Sequence, residues 1–204
     1  MRVDRPGPGE ELNTGEVTEA RPASTVIPVR DGADGLELLL VQRNPKSRFM
    51  GGAWVFPGGA VNEGETEAET AVREAEEEAS LQLDAGALVP FSRWITPRQV
   101  KTRFDTHFFV APTPPDARPV CDGEECVDLR WVTPAGALEA GRRDELSLMF
   151  PTVKHLEQLV QFETVEELLA HARERRVQPV EPRVLVDGGV AQVLLPGEPG
   201  YDEA

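Results

Sequence analysis

Apolar and polar positions divide the chain into short strands early and helices late. Val26 and Ile27 centre a strand over residues 24–30, with Pro28 marking an edge or a bulge. Asp31-Gly32-Ala33-Asp34-Gly35 is turn chemistry. The run Leu38-Leu39-Leu40-Val41, inside a second strand over 36–43, points to burial on both faces. A loop over 44–52 leads through Trp54-Val55-Phe56 to a Pro57-Gly58-Gly59 turn, and a helix is predicted over 66–79. Further strands are predicted over 89–95, 103–110 and 126–132, with a proline-rich loop over 112–119. In the second of these, Phe104, Thr106 and Phe108 share one face, while His107 lies on the other as a structural hydrogen-bonder. Trp131 reads as core. A short helix over 134–140 is stopped by Gly141. From Ser147, the spacing of Val153, Leu156, Leu159 and Val160 predicts a helix with one apolar face. Thr164-Val165-Glu166-Glu167 is a capping box for another, reaching about 176, with Leu168, Leu169 and Ala172 as its buried stripe. Residues 183–186 and 191–195 read as a hairpin joined by Asp187-Gly188-Gly189-Val190. Residues 1–22 lack apolar periodicity and read as a mobile arm ahead of a single domain over 23–204.

The predicted helix over 66–79 carries the chain's most unusual charge pattern. At about 100° per residue, Glu77 falls at about −60° and Glu78 at about +40° from Glu74, so the three share an arc of roughly 100°. Glu76 points away, and Ala68, Ala71, Val72, Ala75 and Ala79 form a separate small apolar face. Like charges at this spacing repel, and near a helix C-terminus they also oppose the macrodipole. One reading is a solvated acidic helix. The other is a cluster compensated by a hard cation. Mg²⁺ or Mn²⁺ prefers carboxylate oxygens and accepts phosphate oxygens in its remaining positions.

Composition narrows the partners. The 204 residues carry a net charge of −15, which argues against nucleic-acid duplexes and anionic membranes. Anionic phosphate then has to be attracted locally, by a metal or by clustered Arg and Lys. No apolar run is long enough to span a bilayer and no signal-peptide core is present, so a cytoplasmic location is the expectation. Cys121 and Cys126 lack the spacing and company of zinc ligands and read as small apolar residues.

The spacing of Gly59, Glu65, Arg73-Glu74, Glu77-Glu78 and Leu81 resembles the Nudix box, the signature of hydrolases that cleave diphosphates linked to another moiety. The box normally has Gly where this chain has Ser80, a position where the chain leaves the helix with positive φ. The resemblance implies an α/β fold, the Nudix α/β/α sandwich with a mixed sheet, here with added C-terminal helices and a hairpin. It implies Mg²⁺ or Mn²⁺ held by Glu74, Glu78 and Glu77, with the Gly59 carbonyl as a further ligand. Arg73 would support the site by pairing with Glu65. The base would be Glu77 itself or an acid of the Asp122-Gly123-Glu124-Glu125 loop, Glu125 before Glu124. Phosphate contacts would come from a pool that includes Arg43, Arg48 and Arg103. Residues 42–50, Trp94-Ile95-Thr96-Pro97 and Arg103-Phe104-Asp105-Thr106 further resemble the peroxisomal coenzyme A diphosphatase branch and its bacterial relatives. That branch often carries an upstream His, where this chain has Met50, Gly52 and Ala53. The expected activity is metal-dependent hydrolysis of a nucleoside diphosphate linked to another moiety, with coenzyme A or its derivatives among the candidates. A binding module of the same fold without turnover is the alternative. The partner is a small-molecule diphosphate; the C-terminal helices and hairpin would close the pocket or build a homodimer interface.

Overall fold

The structure, a computed structural model, describes residues 2–3, 13, 15–187 and 190–203. Its strands are β1 (Arg2–Val3), β2 (Arg21–Gly32), β3 (Gly35–Arg43), β4 (Trp54–Val55), β5 (Gly58–Ala60), β6 (Val89–Ile95), β7 (Phe104–Pro112), β8 (Cys126–Val132), β9 (Pro179–Val180), β10 (Arg183–Asp187) and β11 (Val190–Leu194). Its helices are α1 (Glu67–Ala79), α2 (Pro134–Arg142), α3 (Phe150–Leu159) and α4 (Val165–Glu174).

The main sheet runs β4-β3-β2-β7-β6-β9, with β5 added to β2 and β8 to β3. It is mixed: β2 with β7 and β6 with β9 are parallel, and the other pairs are antiparallel. On one edge β2 changes partner along its length. Residues 23–25 pair with β5, and residues 29–32 pair with β3. Pro28, which has no N–H to donate, sits between the two stretches. A small antiparallel sheet, β1-β11-β10, stands apart.

Period-two alternation sends side chains to both faces of the sheet. Val26, Leu39, Val41, Phe109 and Ala111 pack beneath Ala71, Ala75 and Ala79 of α1, whose small side chains let helix and sheet approach closely. Ile27, Val29, Leu38, Leu40, Phe108 and Val110 pack with Phe91 beneath α2, α3 and α4. The alternate leucines of β3 thus serve both layers, as the unbroken apolar run required. Each fully buried Leu, Ile, Val or Phe contributes about 1.5–3 kcal/mol. The result is the three-layer α/β/α sandwich with C-terminal helices and hairpin.

Several expectations are corrected. β2 begins at Arg21, inside the stretch read as an arm. Asn13 N–H donates to Gln99 O, and Thr18 Oγ1 donates to Lys101 O at 2.7 Å. Residues 1, 4–12 and 14, and the Gly188-Gly189 turn of the hairpin, lie outside the described residues. α3 starts at Phe150 and buries Thr152, His155, Leu156 and Leu159, leaving Val160 48% exposed. Leu156 and Leu159 of the predicted stripe are buried, while Val153 and Val160 give up their places to Thr152 and His155. Among the described residues no helix is long and apolar enough to cross a membrane.

Candidate active site

Thr66 caps α1 with a complete capping box: its hydroxyl accepts from Glu69 N, and the Glu69 carboxylate accepts from Thr66 N. This fixes the helix start immediately after Glu65. Ser80 ends the helix at φ 52°, ψ 30°, the left-handed conformation that glycine adopts more cheaply. Ser80 and Leu81 N–H groups close back on the carbonyls of Glu76 and Ala75. The exit geometry of a glycine-terminated helix is thus kept, with a non-glycine residue under strain.

The pairing of β5 with β2 lays Gly58 and Gly59 beneath the carboxylate face of α1. A Cβ at Gly59 would land on the Glu74 carboxylate, and one at Gly58 would come 2.5 Å from Thr25 Oγ1. Both glycines make room for approaching groups.

The acidic cluster divides by depth. Glu74 and Glu78 are buried, whereas the Glu77 side chain is 59% exposed at the rim. Burial pushes Glu74 above the ordinary carboxylate range. It pushes Glu78 up to about 7, against a hydrogen bond from Gly58 N–H at 3.1 Å and aided by the charge of Glu74. Arg43 Nη1 stands 3.9 Å from Glu78 Oε1. Arg43 Nε is buried without a hydrogen-bond partner.

Arg73 grips Glu65 with both arms of its fork, at 2.9 and 3.1 Å, and holds its carboxyl down at about 2. Its Nη1 also donates to Glu74 at 2.7 Å and to Glu77 at 2.8 Å, and Nη2 donates to Ala60 O at 3.2 Å. Arg73 is therefore a hub of the carboxylate cluster as well as a tie to Glu65, a role the sequence reading did not give it.

Glu125 lies on the loop before β8. Asp122 organises that loop by accepting from Glu125 N and Cys126 N, and Asn44 binds the carbonyls of Glu124 and Glu125. Glu125 lines the same cleft as Glu74 and Glu77, and its charge helps raise both buried carboxyls. Glu124 does not line this cleft. Cys121 and Cys126, both free, lie with their sulfurs 2.8 Å apart behind this loop.

Two proposed phosphate contacts are corrected. Arg103 is buried and spends its guanidinium on Thr96 O, Thr18 O and Glu181 Oε1, at 2.7–3.0 Å. Arg48 is exposed on its loop and does not line the cleft. Arg43 does.

The cleft has a volume of about 790 Å³, with the carboxylates at one end and aromatic side chains over the rest. Behind it lies His155, which the sequence reading passed over. His155 is fully buried among Phe56, Phe91, Trp94 and Phe108. Its Nδ1 lies 2.7 Å from Pro151 O, which can only accept, so Nδ1 carries the proton. Nε2 then accepts from Ser92 Oγ at 2.6 Å. Burial drives its pKa down to about 4, so it stays neutral and braces the cleft wall. His107 does not line the cleft.

The donor set at the acidic end is all oxygen, which suits Mg²⁺ or Mn²⁺. Among the described residues no three His, Cys, Asp or Glu side chains converge as a ready-made cage. Two carboxylates with an open side fit a hydrated ion that completes its shell with water and substrate phosphate, the usual arrangement for Mg²⁺.

Comparison with known proteins agrees with this geometry. The family model described as NUDIX domain matches residues 19–152. The "Putative 8-oxo-dGTP diphosphatase 3" of Mycobacterium tuberculosis is 33% identical over 102 residues, 48% of this chain and 46% of the relative. The chain thus spans about half the length of the curated relatives it matches. The crystal structure of a NUDIX hydrolase from Alicyclobacillus acidocaldarius superposes with a TM-score of 0.69 at 25% identity, covering 75% of this chain and 96% of that one. The NUDIX domain of Shewanella oneidensis NrtR, solved with ADP ribose, shares the fold at a TM-score of 0.56 and 18% identity, covering 69% and 86% of the respective chains.

Proposed function

The chain belongs to the Nudix family, and from that premise we propose that it hydrolyses the diphosphate bridge of a small molecule at the Glu74–Glu78 end of the cleft. The observation that carries this reading is Glu74 on the lining of an aromatic cleft, with Glu78 buried one helical turn further along α1 and Arg43 3.9 Å from Glu78. Burying two like-charged carboxylates one turn apart is costly even with these contacts, and a cation held between them would offset that cost.

Glu74 and Glu78 would hold Mg²⁺ or Mn²⁺, with Glu77 and the Gly59 carbonyl as further oxygens. The ion, when bound, neutralises phosphate charge and lowers the pKa of a bound water. Arg43, which lines the cleft, would donate to a phosphate oxygen from its guanidinium. Arg73 holds Glu74 and Glu77 apart and in place while anchoring α1 to the preceding loop. Glu125 lines the cleft with a side chain that makes no hydrogen bond among the described residues, so it takes the proton from the attacking water. Glu77, already tied to Arg73, is the second choice. Phosphoryl transfer asks mainly for positioning and charge neutralisation, and these residues supply both.

The named relative puts oxidised purine nucleotides on a test panel, and the secondary motifs add coenzyme A. The test is incubation with Mn²⁺ and a panel of diphosphates, with products read by mass. Cleavage that falls about a hundredfold or more in Glu78→Gln supports the reading; equal turnover by the variant removes it. A non-cleaving sensor is the second reading, favoured by the contacts of Arg73 to Glu74 and Glu77. Tight binding of one panel member without cleavage of any would select it.

A further inference from the structure

The charged and amide side chains that line the cleft gather at its acidic end. Arg43 stands by Glu78, Asn62 N–H points to Glu65, Arg73 joins Glu74 to Glu77, and Glu125 acts electrostatically on Glu74 and Glu78. The rest of the wall has a different character. From β5 the floor crosses β2 and β7 to reach Trp94 on β6. Three interstrand steps of about 4.8 Å put Trp94 some 14 Å from the glycines. Around it stand Phe49, Phe104, Leu148 and Phe150. The hydroxyl of Thr96 at this end is already engaged with the backbone of Phe104.

Val184 of β10 and Val193 of β11 close this end. Both lie beyond residue 152, where the family match stops. The hairpin is therefore an addition that completes a wall of the cleft.

We propose that this distal half of the cleft receives a hydrocarbon group esterified directly to the diphosphate, an isoprenoid chain, and that Val184 and Val193 make the hairpin a determinant of that specificity. The inference rests on the hydrolase reading above and adds the chemical class of the moiety beyond the diphosphate. A purine brings several donors and acceptors along its edges; among the described residues the lining at this end offers them hydroxyls such as that of Thr106 and no carboxylate or amide side chain, while the nearby Arg21 guanidinium lies over the Phe104 ring. Nor do the rings form a slot for a base. Phe49 and Phe104 meet at 57°, and Trp94 and Phe150 meet edge-on at 74°. Walls of this kind follow a flexible chain more readily than a plane, and burial of apolar area drives its capture.

The test uses the full chain with Mn²⁺ and compares kcat/KM for geranyl diphosphate, methyl diphosphate and 8-oxo-dGTP. Geranyl diphosphate should lead methyl diphosphate by about tenfold or more. Val184→Asp should cut that preference about tenfold, and Phe49→Ala, on a loop, repeats the test without disturbing the hairpin. Equal turnover of geranyl and methyl diphosphate, or a lead for 8-oxo-dGTP, overturns the inference and leaves the hydrolase standing. If nothing is cleaved, quenching of tryptophan fluorescence by geranyl diphosphate decides separately. Saturable quenching that is weakened in Phe49→Ala upholds the pocket, and its absence overturns it.

Discussion

At the level of single residues, Glu78 links fold and function most tightly. Its folded-state pKa is about 7 against 4.5 for the unfolded chain. A raised carboxyl stabilises the fold fully below pH 4.5, and that stabilisation is lost as pH rises through 7. With Glu78 3% exposed, the loss is about 3 kcal/mol. The thermal midpoint of the metal-free protein should therefore fall between pH 5.5 and pH 8, and Glu78→Gln should flatten that fall. Mg²⁺ should restore the midpoint at pH 8, since a bound cation favours the ionised carboxylate. Glu65 runs the other way: its depressed pKa stabilises the fold above pH 4.5 and stops doing so as pH falls toward 2. Glu125→Gln should lower kcat by about a hundredfold or more while Mn²⁺ binding, measured by calorimetry, stays intact. Equal loss in a Glu77→Gln variant with Glu125→Gln active would reverse the assignment of the base. The pairing of Arg73 with Glu65 was expected from the resemblance to the Nudix box, whereas the contacts of Arg73 to Glu74 and Glu77 were not. The role of Arg103 was not legible either, since its partners Thr18 and Glu181 are 85 and 78 positions away. His155 was hidden for a related reason. Nothing local distinguishes a histidine on an amphipathic helix from one walled in by four aromatic rings.

Among elements, α1 and its flanks repay the closest attention. The alanine face was written in the sequence and the helix formed over the predicted residues, while the capping box at Thr66 emerged only with the structure. Strands β6 and β8 likewise match their predicted bounds, because each is an apolar run between breakers. β5 escaped notice: Gly58-Gly59-Ala60 has no apolar signature and becomes a strand only because β2 offers it an edge. The two-residue β9 was missed for the same reason. At the exit of α1, Ser80 occupies the left-handed region at a cost of about 1–2 kcal/mol. Ser80→Gly should thus raise stability by about 1 kcal/mol in denaturant melts without altering metal affinity, the relief of strain being offset in part by glycine's greater unfolded-state entropy. A destabilised Ser80→Gly would mean that the serine makes a compensating interaction. Arg103 ties the start of β7 to the segment before β10, and Arg103→Ala should cost about 2 kcal/mol or more through the buried groups it leaves unpaired.

Across the whole molecule, the −15 net charge sets the terms on which an anionic substrate arrives. The general field repels a diphosphate, and attraction is confined to Arg43 and the proposed ion. With Mn²⁺ held saturating, kcat/KM should therefore rise as NaCl goes from about 20 to about 200 mM, because screening weakens the repulsion. A steep fall would point to steering by a basic patch that the charge count conceals. The division of the cleft into an acidic end and an aromatic end was invisible in the sequence. It depends on β5, β2, β7 and β6 lying side by side and on a hairpin some ninety positions further along the chain. The measurement that tests the central claim most directly is a Mn²⁺ titration of the full chain at pH 7.5, with free ion followed by electron paramagnetic resonance. Saturable binding that disappears in Glu74→Gln/Glu78→Gln, with the fold retained by circular dichroism, is the predicted result. Undiminished binding in that double variant would contradict it.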